Sequence, residues 1–243
     1  MSASKNIIVQ SCIFHEDTYS LYMVRYKDKP LWLRKWNQQL PEAALNRLVY
    51  LYNSGQEFPR LHRTIRLGDT PGLLLEPCIG IPITTLQSSL SPKTIYEIAT
   101  QILDTMHRTE TSFVSMEGML LNEQGQVFNC APTLPQKTST MHNDGVWTLG
   151  MWVLSKVCPV STEHLYTFMQ QQNAQQYNTA LNKILTRLEL GLPNQQWTNS
   201  AIQTIAHMCA FSPKQRWNAE TSLKMMEAYA GQGIGLSLPV FCE

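Results

Sequence analysis

Charged residues are scarce in this sequence. Asp, Glu, Lys and Arg make up 15% of the 243 residues, and the formal net charge is +1, whereas globular domains average about 25% charged residues. A chain with so little net charge lacks the electrostatic attraction that holds bulk nucleic acid or an anionic membrane surface. We therefore expect neither of these as a partner.

Long apolar runs and paired cysteines are missing as well. No run approaches the roughly 18 apolar residues of a membrane span, and the segment MSASKNIIVQ lacks the apolar core of a secretory signal. The cysteines are scattered without a C-x-x-C pair, which argues against a zinc cage and favours buried free thiols over disulfides. We expect a soluble, cytoplasmic protein. The six cysteines are Cys12, Cys78, Cys130, Cys158, Cys209 and Cys242.

The sequence contains neither G-x-S-x-G nor H-E-x-x-H, and its six histidines show no metal-ligand spacing. His142 and Asp144 lie close enough along the chain for a catalytic dyad. The favoured interpretation is that Asp144 caps the following helix and that His107 packs at the end of its own helix. No catalytic residue, metal or cofactor is predicted on these grounds.

Short strand candidates dominate the first third of the chain, and a 43% hydrophobic composition is enough for a sizeable core. The candidates are NIIVQSCIF, SLYMVRY, PLWLRKW, RTIRLGD and GLLLEPCIG. The segment KDKP at 27–30 predicts a tight turn, and Pro71 with Gly72 predicts another. A helix is predicted over 41–53, beginning at Pro41-Glu42.

Helical patterns dominate the remainder. Ser91-Pro92 opens a predicted helix, a hairpin is predicted over 119–130, and a helix that is apolar nearly all round is predicted over 145–157. Further helices are predicted over about 162–188, 198–210 and 219–230, the last capped by Asn218. The first helix has one apolar face, formed by Ile95, Ile98, Ala99, Ile102, Leu103 and Met106. The order predicts an α+β protein with a small β-rich lobe (1–78) and a larger helical lobe (79–243).

Six segments in this order resemble landmarks of protein kinases. They are LWLRKW (31–36), GLLLEPCIG (72–80), IATQILDTMH (98–107), GMLLNEQGQVFN (118–129), GVWTLGMWVL (145–154) and FSPKQRWNAETSL (211–223). The resemblance implies a bilobal, protein kinase-like fold. It places Leu75 at the gatekeeper position and Glu76 at the start of the hinge between the lobes. A different α+β protein is the alternative.

The resemblance also implies a basic residue on the third strand, where kinases bind phosphate. Aligning LWLR with V-A-I-K places Arg34 there, and a shift of one residue places Lys35 there. Strand alternation allows only one of the two to face the cleft. The favoured alternative is that one is an exposed basic residue and the other a snorkelled side chain under Trp32 or Trp36.

The other parts of the kinase machinery are missing. The segment SCIFHEDTYS (11–20) has no glycine where a glycine-rich loop would cradle phosphates. Ala44 stands at the position of the helix glutamate, Gly118 at the metal-binding Asn and Ala131 at the metal-binding Asp. His-Arg-Asp is absent, and Glu117 is the carboxylate that is considered as a substitute base. The resemblance therefore implies a pseudokinase without catalytic residues or bound cofactor.

A kinase-like fold without catalysis implies a scaffold or regulatory subunit that binds another protein within an assembly. The alternative is a divergent nucleotide-dependent phosphotransferase that uses Arg34 or Lys35 together with Glu117. Tryptophan is common at protein interfaces. Because Trp32 and Trp36 alternate with Leu31, Leu33 and Lys35, one face of that strand is expected to be exposed. The candidate interface residues are Trp32, Trp36, Trp197 and Trp217.

Overall fold

The computed structural model describes residues 7–55, 57–86, 90–110, 116–132, 145–157, 159–190 and 199–230. The strands are β1 (Ile7–His15), β2 (Tyr19–Tyr26), β3 (Lys29–Trp36), β4 (Leu61–Leu67), β5 (Thr70–Leu75), β6 (Ile81–Pro82), β7 (Met119–Leu121) and β8 (Val127–Asn129). The helices are α1 (Glu42–Ser54), α2 (Pro92–Thr109), α3 (Gly145–Val157), α4 (Pro159–Gln170), α5 (Ala174–Leu190), α6 (Asn199–Met208) and α7 (Ala219–Ala230).

The first five strands form one antiparallel sheet in the order β1-β2-β3-β5-β4. The turn predicted at 27–30 is confirmed and joins β2 to β3. Its central residues Lys27 and Asp28 both have positive φ, 48° and 64°. Two such residues give the turn the same twist as the strands that flank it, which is why this kind of turn closes short hairpins.

The turn between β4 and β5 lies three residues before its predicted position. Leu67 pairs with Thr70, so Gly68 and Asp69 form the turn, and Gly68 has φ +64°. The prediction at Pro71-Gly72 was wrong because both residues belong to β5. A Cβ on Gly72 would lie 3.1 Å from Ile65 Cγ1 and 3.2 Å from Leu33 Cδ1. Glycine at position 72 therefore serves close packing between strands.

The helices predicted over 41–53 and 145–157, and the helix start predicted at Ser91-Pro92, are confirmed within one or two residues. Ser91 caps α2, since its hydroxyl accepts a hydrogen bond from Thr94 N at 3.1 Å. All six residues of the apolar face predicted for α2 are buried. Asn218 caps α7 by accepting a hydrogen bond from Thr221 N at 2.8 Å.

The single helix predicted over 162–188 is two helices. Helix α4 ends at Gln170, Gln172 has φ +53°, and α5 begins at Ala174. Asn173 caps α5 because its Oδ1 accepts a hydrogen bond from Gln176 N at 3.1 Å. Polar residues with high helix propensity surround the break, so their pattern alone did not reveal it.

The predicted hairpin is confirmed as β7 and β8, with β6 added on the outer side of β7. Gly125, in the turn, has φ +77°. Asn122 Oδ1 accepts hydrogen bonds from Gln124 N at 3.0 Å and Gln126 N at 2.8 Å. Because one side chain satisfies two backbone donors, the turn keeps a defined shape at the surface.

Buried residues form three clusters. The largest cluster joins the helices α2 to α7 and the three-stranded sheet β6-β7-β8. The second, the outer-face cluster, covers one side of the first sheet and consists of Val24, Tyr26, Leu31, Leu33, Ile65 and Leu74. The cleft cluster covers the other side of that sheet. It consists of Tyr19, Leu21, Trp32, Trp36, Leu48, Leu51, Tyr52, Phe58, Leu73, Leu75, Cys130 and Ala131. The cleft cluster therefore joins the sheet and α1 to the end of the β8 hairpin.

The chain is thus a mixed α+β protein, in which a five-stranded antiparallel sheet precedes a mainly helical region. Across the part of the chain that the structure describes, none of the helices combines the length and apolarity needed to cross a bilayer.

Candidate functional site

Arg34 lies at the centre of the candidate site, on the third strand. Strand β3 presents Trp32, Arg34 and Trp36 on its cleft side, since side chains two residues apart share a face. The Arg34 side chain is only 2% exposed. Its guanidinium carbon lies 4.0 Å from the centre of the Tyr19 ring and 5.1 Å from that of Trp36. Two aromatic rings therefore stabilise the buried cation.

Hydrogen bonds join Arg34 to two other parts of the chain. Its Nη1 donates to the Tyr52 hydroxyl at 2.8 Å and to the Pro132 carbonyl at 2.7 Å. The Tyr52 hydroxyl in turn donates to the Cys130 carbonyl at 3.2 Å. Strand β3, helix α1 and the segment after β8 are therefore locked together by one buried network.

Carboxylates take no part in this network. Among the ion pairs of the described residues, none includes Arg34, and its Nε has no hydrogen-bond partner. Burial raises the pKa of Tyr52, although the nearby Arg34 cation opposes that shift. The phenol therefore stays neutral and serves as acceptor and donor. A carbonyl, a phenol and two rings therefore hold the buried cation without an acidic ligand, and its Nε stays a buried donor without a partner.

Lys35 lies on the opposite side of β3 from Arg34. It is half-buried and pairs with Ser20 and Gly72 on the neighbouring strands. The two basic residues lie on opposite faces of β3, as strand alternation predicts, and Arg34 is the one on the side of the cleft cluster. The favoured alternative, a snorkelled side chain under Trp32 or Trp36, was wrong because Arg34 is enclosed by the cleft cluster and does not reach water.

Gly118 and Ala131, the two positions assigned to metal ligands, lie against each other. A Cβ on Gly118 would lie 2.7 Å from the Ala131 Cβ, a distance that real Cβ atoms do not adopt. The Cys130 N–H donates to the Gly118 carbonyl at 2.8 Å, and Ala131 is 1% exposed. The backbone at these positions is therefore packed too closely to hold a larger side chain at either residue.

Helix α1 contributes Tyr52 to the site. Ala44, the position assigned to the helix glutamate, is half-buried and lies about 12 Å nearer the start of the helix, at 1.5 Å per residue. Tyr52 shares a buried face with Leu48 and Leu51. Sequence reasoning missed Tyr52, but its spacing of four from Leu48 predicts that it faces the core.

The assigned hinge residues differ in environment. Leu75 is buried in the cleft cluster and pairs with Trp32 across the sheet. Glu76 is exposed, and its backbone N–H donates to the Arg60 carbonyl at 2.9 Å. A groove of about 1020 Å³ opens beside this segment. This hinge groove is lined by Tyr52, Phe58, Arg60, Glu76, Cys78 and Glu123 among others, and no sequence pattern indicated it.

Two acidic residues lie near Tyr19: Glu117 is exposed and Glu16 is half-buried. Burial raises the pKa of Tyr19, the Arg34 cation opposes that shift, and the charges of Glu16 and Glu117 add to it. Glu117, considered as a substitute base, therefore lies near the aromatic cover of Arg34.

The turn after β1 is held by Asn37, whose Nδ2 donates to the Glu16 carbonyl at 3.1 Å.

The tryptophans expected to form an interface are mostly not at the surface. Trp32 and Trp36 are 5% and 4% exposed, so the prediction of an exposed aromatic face on β3 was wrong. Helix α1 and the residues that follow β8 cover the face of β3 that carries both tryptophans. Trp217 is half-buried and stacks on His207 with ring centres 4.1 Å apart. Trp197 lies outside the described residues.

The cysteines only partly match the expected pattern of buried free thiols. Among the described residues the free thiols are Cys12 (exposed), Cys78 (half-buried), Cys130 and Cys209 (both buried). Cys158 and Cys242 lie outside the described residues, as do His142 and Asp144. Within the described ranges, no three His, Cys, Asp or Glu side chains are grouped in a way that would hold a metal ion.

Comparison with known proteins assigns no family. No model of a protein family matches the chain, and no curated protein matches it. Any function must therefore be argued from the network around Arg34, the packing of Gly118 on Ala131 and the exposed surfaces.

Proposed function

We propose that the chain is a pseudokinase-like binding module. In this proposal it has the bilobal arrangement of a protein kinase, transfers no phosphate, and acts as a scaffold or regulatory subunit that holds another protein. The support comes from the order of its elements, from the filled cleft and from one exposed strand.

The element order supports the kinase-like part of the proposal. A basic residue stands on the third strand, a helix follows it, and the fifth strand leads into the expected hinge at Leu75 and Glu76. The long helix α2 then precedes the β7–β8 hairpin, and the apolar helix α3 comes after it. An unrelated fold would reproduce all of these relationships only by coincidence.

The observation that supports the proposal most strongly is that Arg34 binds other residues of its own chain. Phosphoryl transfer depends on cations and donors that are free to bind the transferred group. Here the guanidinium is buried beneath Tyr19 and donates to Tyr52 and Pro132. A nucleotide phosphate would have to displace these contacts. The cleft is therefore filled by its own side chains.

The packing of Gly118 on Ala131 supports the same conclusion. In protein kinases, the positions that Gly118 and Ala131 resemble carry the metal-binding Asn and Asp. Here the two residues pack against each other and leave no space for those side chains. With neither carboxylate nor amide at this point, a divalent cation has no ligand here. Loss of the metal site and loss of the phosphate site occur in one contiguous region, the cleft cluster.

The alternative, a divergent phosphotransferase, requires Arg34 to be released and Glu117 to act as a base. Glu117 is exposed, and its charge raises the pKa of Tyr19. It therefore lies near the side of the sheet that carries the cleft cluster. Release of Arg34 would leave the Tyr52 hydroxyl and the Pro132 carbonyl without their donor inside the protein, which costs free energy. This cost favours the binding module.

Strand β1 is the surface that best suits a protein partner. In the sheet of the described residues it is an edge strand, and its nine residues, IIVQSCIFH, include no charged residue (with His neutral) and no proline. Ile8, Val9 and Ile13 are 64%, 56% and 45% exposed. Edge strands are normally protected by charges or proline, because their free backbone groups pair readily with other chains.

The partner segment proposed for this edge is an uncharged, extended stretch of another protein, added to the sheet as a further strand. Its apolar side chains would cover Ile8, Val9 and Ile13, and a charged segment would find no counter-charge on β1. Two register shifts of β1 against β2 bend the strand, so a partner has to follow that curvature.

Recovery of a partner from the source cells tests the proposal. Affinity-tagged wild-type chain and the double variant Val9→Lys/Ile13→Lys would be compared with the control Tyr166→Lys, which alters an exposed aromatic residue on α4. The proposal predicts a protein that is recovered in a defined ratio with wild type and control but is lost with the double variant. Equal recovery by all three would exclude β1 as the binding edge.

A further inference from the structure

Strand β4 forms the second edge of the five-stranded sheet, and positive charge is concentrated along it. Three of the chain's 19 Lys and Arg residues, Arg60, Arg63 and Arg66, stand in or just before this strand, and the stretch 58–68, FPRLHRTIRLG, contains no Asp or Glu. All three arginines are exposed. Because the whole chain has a formal net charge of only +1, this excess of positive charge is a local property of one sheet edge.

The three arginines have no acidic partner within the part of the chain that the structure describes. None of the ion pairs found there includes Arg60, Arg63 or Arg66. Arg63 Nη1 donates to the Tyr26 hydroxyl at 3.4 Å, which uses one of the five N–H donors of the guanidinium. Most of the donors along this edge are therefore available to an anion from outside the chain.

The register of β4 against β5 places the arginines of the strand on both faces of the sheet. Arg63 lies opposite Leu74 of the outer-face cluster, and Thr64 lies opposite Leu73 of the cleft cluster. Since opposite residues share a face and faces alternate along a strand, Arg63 lies on the outer face and Arg66 on the face of the cleft cluster. A further strand beside β4 would meet them with two residues that are three positions apart.

We propose that β4 binds an acidic, extended peptide segment, which joins the sheet as a further strand and carries two carboxylates three residues apart. The free backbone groups of an edge strand supply main-chain hydrogen bonds to such a segment. Arg63 and Arg66 select its carboxylates, because the planar guanidinium fork matches a carboxylate in two-point hydrogen bonding. The site goes beyond the proposed function, since it lies at the opposite edge of the sheet from β1.

The same charges disfavour the other occupants of this edge. A second copy of β4 would bring arginines against arginines, which destabilises strand pairing, and an uncharged segment would leave them without a counter-charge. Charge on an edge strand thus protects it from unselective pairing and at the same time favours a strand of opposite sign. Nucleic acid is the other anionic class, but it depends on many phosphate contacts, and the low net charge of the chain favours a short peptide.

Peptide binding followed by fluorescence anisotropy tests the proposal. The probe is a labelled peptide, TVEVTEVT, with both ends blocked and its glutamates three residues apart. One control replaces both glutamates by glutamine, and another keeps them but carries an N-methyl group on each of its two backbone edges. We expect saturable binding of the glutamate peptide that weakens as NaCl is added. Both control peptides should bind at least about tenfold more weakly, because one lacks the charges and the other lacks the backbone donors.

Two double variants locate the binding edge. Arg63→Gln/Arg66→Gln should weaken binding of the glutamate peptide by about tenfold or more. Lys183→Gln/Lys214→Gln removes the same charge from exposed positions of the helical region and should bind as tightly as wild type. An unchanged melting temperature verifies the fold of each variant, and the comparison of the three peptides uses the wild-type chain alone.

Four results would overturn the proposal. The first is the absence of saturable binding of the glutamate peptide up to about 1 mM. The second is equal affinity for either control peptide, since the edge would then select no charge or pair with no strand. The third is an equal loss in both double variants. The fourth is tighter binding of a short single-stranded oligonucleotide than of the glutamate peptide, which would make the edge a nucleic-acid surface.

Discussion

Arg34 Nη1 lies 2.7 Å from the carbonyl oxygen of Pro132, and this hydrogen bond spans 98 residues of sequence. It joins the third strand to the segment that follows the hairpin. The same nitrogen donates to Tyr52. A cation that would otherwise be available to a ligand is therefore part of the protein's own structure.

Replacement of Arg34 should destabilise the protein in a graded way. Arg34→Ala removes the donor of Tyr52 and Pro132 and leaves a cavity, so we expect a loss of about 2–4 kcal/mol in the free energy of unfolding. Arg34→Met keeps most of the volume and removes the buried charge, so the loss should stay below about 2 kcal/mol. Urea unfolding measures both values. Lys35→Ala is the matched control, at about 0.5 kcal/mol or less, and an equal loss there would contradict the account.

The contact between positions 118 and 131 predicts a compensating pair of substitutions. Gly118→Ala places a Cβ against the Ala131 Cβ, so we expect a loss of about 1–3 kcal/mol. In an Ala131→Gly background the opposing methyl group is gone, and the same substitution should cost clearly less. A double-mutant cycle measured by chemical unfolding gives the coupling. Additive losses would show that the two positions are not in contact.

The proposed function predicts that an aspartate introduced at position 131 does not produce kinase activity. Ala131→Asp introduces a carboxylate at a position that is 1% exposed, so we expect a loss of about 2 kcal/mol or more in stability. We also expect no phosphate transfer, because Gly118, the turn at 16–18 and the missing His-Arg-Asp are unchanged. Radiolabelled ATP with a protein substrate tests this. Measurable transfer by the folded variant would show that the interpretation of those other positions is wrong.

Alkylation of Cys78 should remain fast at lower pH than alkylation of an ordinary cysteine. Because the interaction with Cys130 lowers the pKa of Cys78 below its ordinary value, the Cys78 thiolate should persist to lower pH than that of an unperturbed cysteine. The rate of iodoacetamide reaction at Cys78, followed by peptide mass spectrometry, should therefore reach half its maximum at a lower pH. Besides Cys78, the ionisable groups that line the groove are Tyr52, Arg60, Glu76 and Glu123.

Two substitutions of Cys130 test whether this residue causes the low pH midpoint of Cys78 alkylation. Cys130→Ala removes the donor, so the Cys78 alkylation midpoint should move to higher pH. Cys130→Ser keeps an O–H donor and should leave the midpoint low. A midpoint for wild-type Cys78 at or above that of free cysteine would exclude the hydrogen bond as the dominant influence.

Local sequence patterns predicted most of the elements. The first five strands, α1, the apolar face of α2, the β7–β8 hairpin and the caps at Ser91 and Asn218 follow from spacing and from residues with strong positional preferences. The errors arose where two local signals competed. Gly68 and Pro71-Gly72 both indicate a turn, and only the packing of Gly72 against Ile65 and Leu33 decides between them.

The site was less predictable because it depends on long-range contacts. Resemblance placed Arg34 on the correct strand, yet its partners Tyr52 and Pro132 are 18 and 98 residues away. The burial of Trp32 and Trp36 depends on the packing of α1 and of the residues after β8 on this face of the sheet, which a single alternating segment does not reveal.

Nucleotide binding tests the central claim, a cleft filled by its own side chains, most directly. Melting of the wild-type chain would be followed with ATP plus Mg²⁺ or Mn²⁺ over a wide concentration range. A ligand at 100 times its Kd adds about 2.7 kcal/mol, which raises the melting temperature of a domain of this size by roughly 5–10 °C. We predict no nucleotide-dependent shift. A saturable rise that is absent in folded Arg34→Met and Lys35→Ala variants would contradict the account and favour a divergent phosphotransferase.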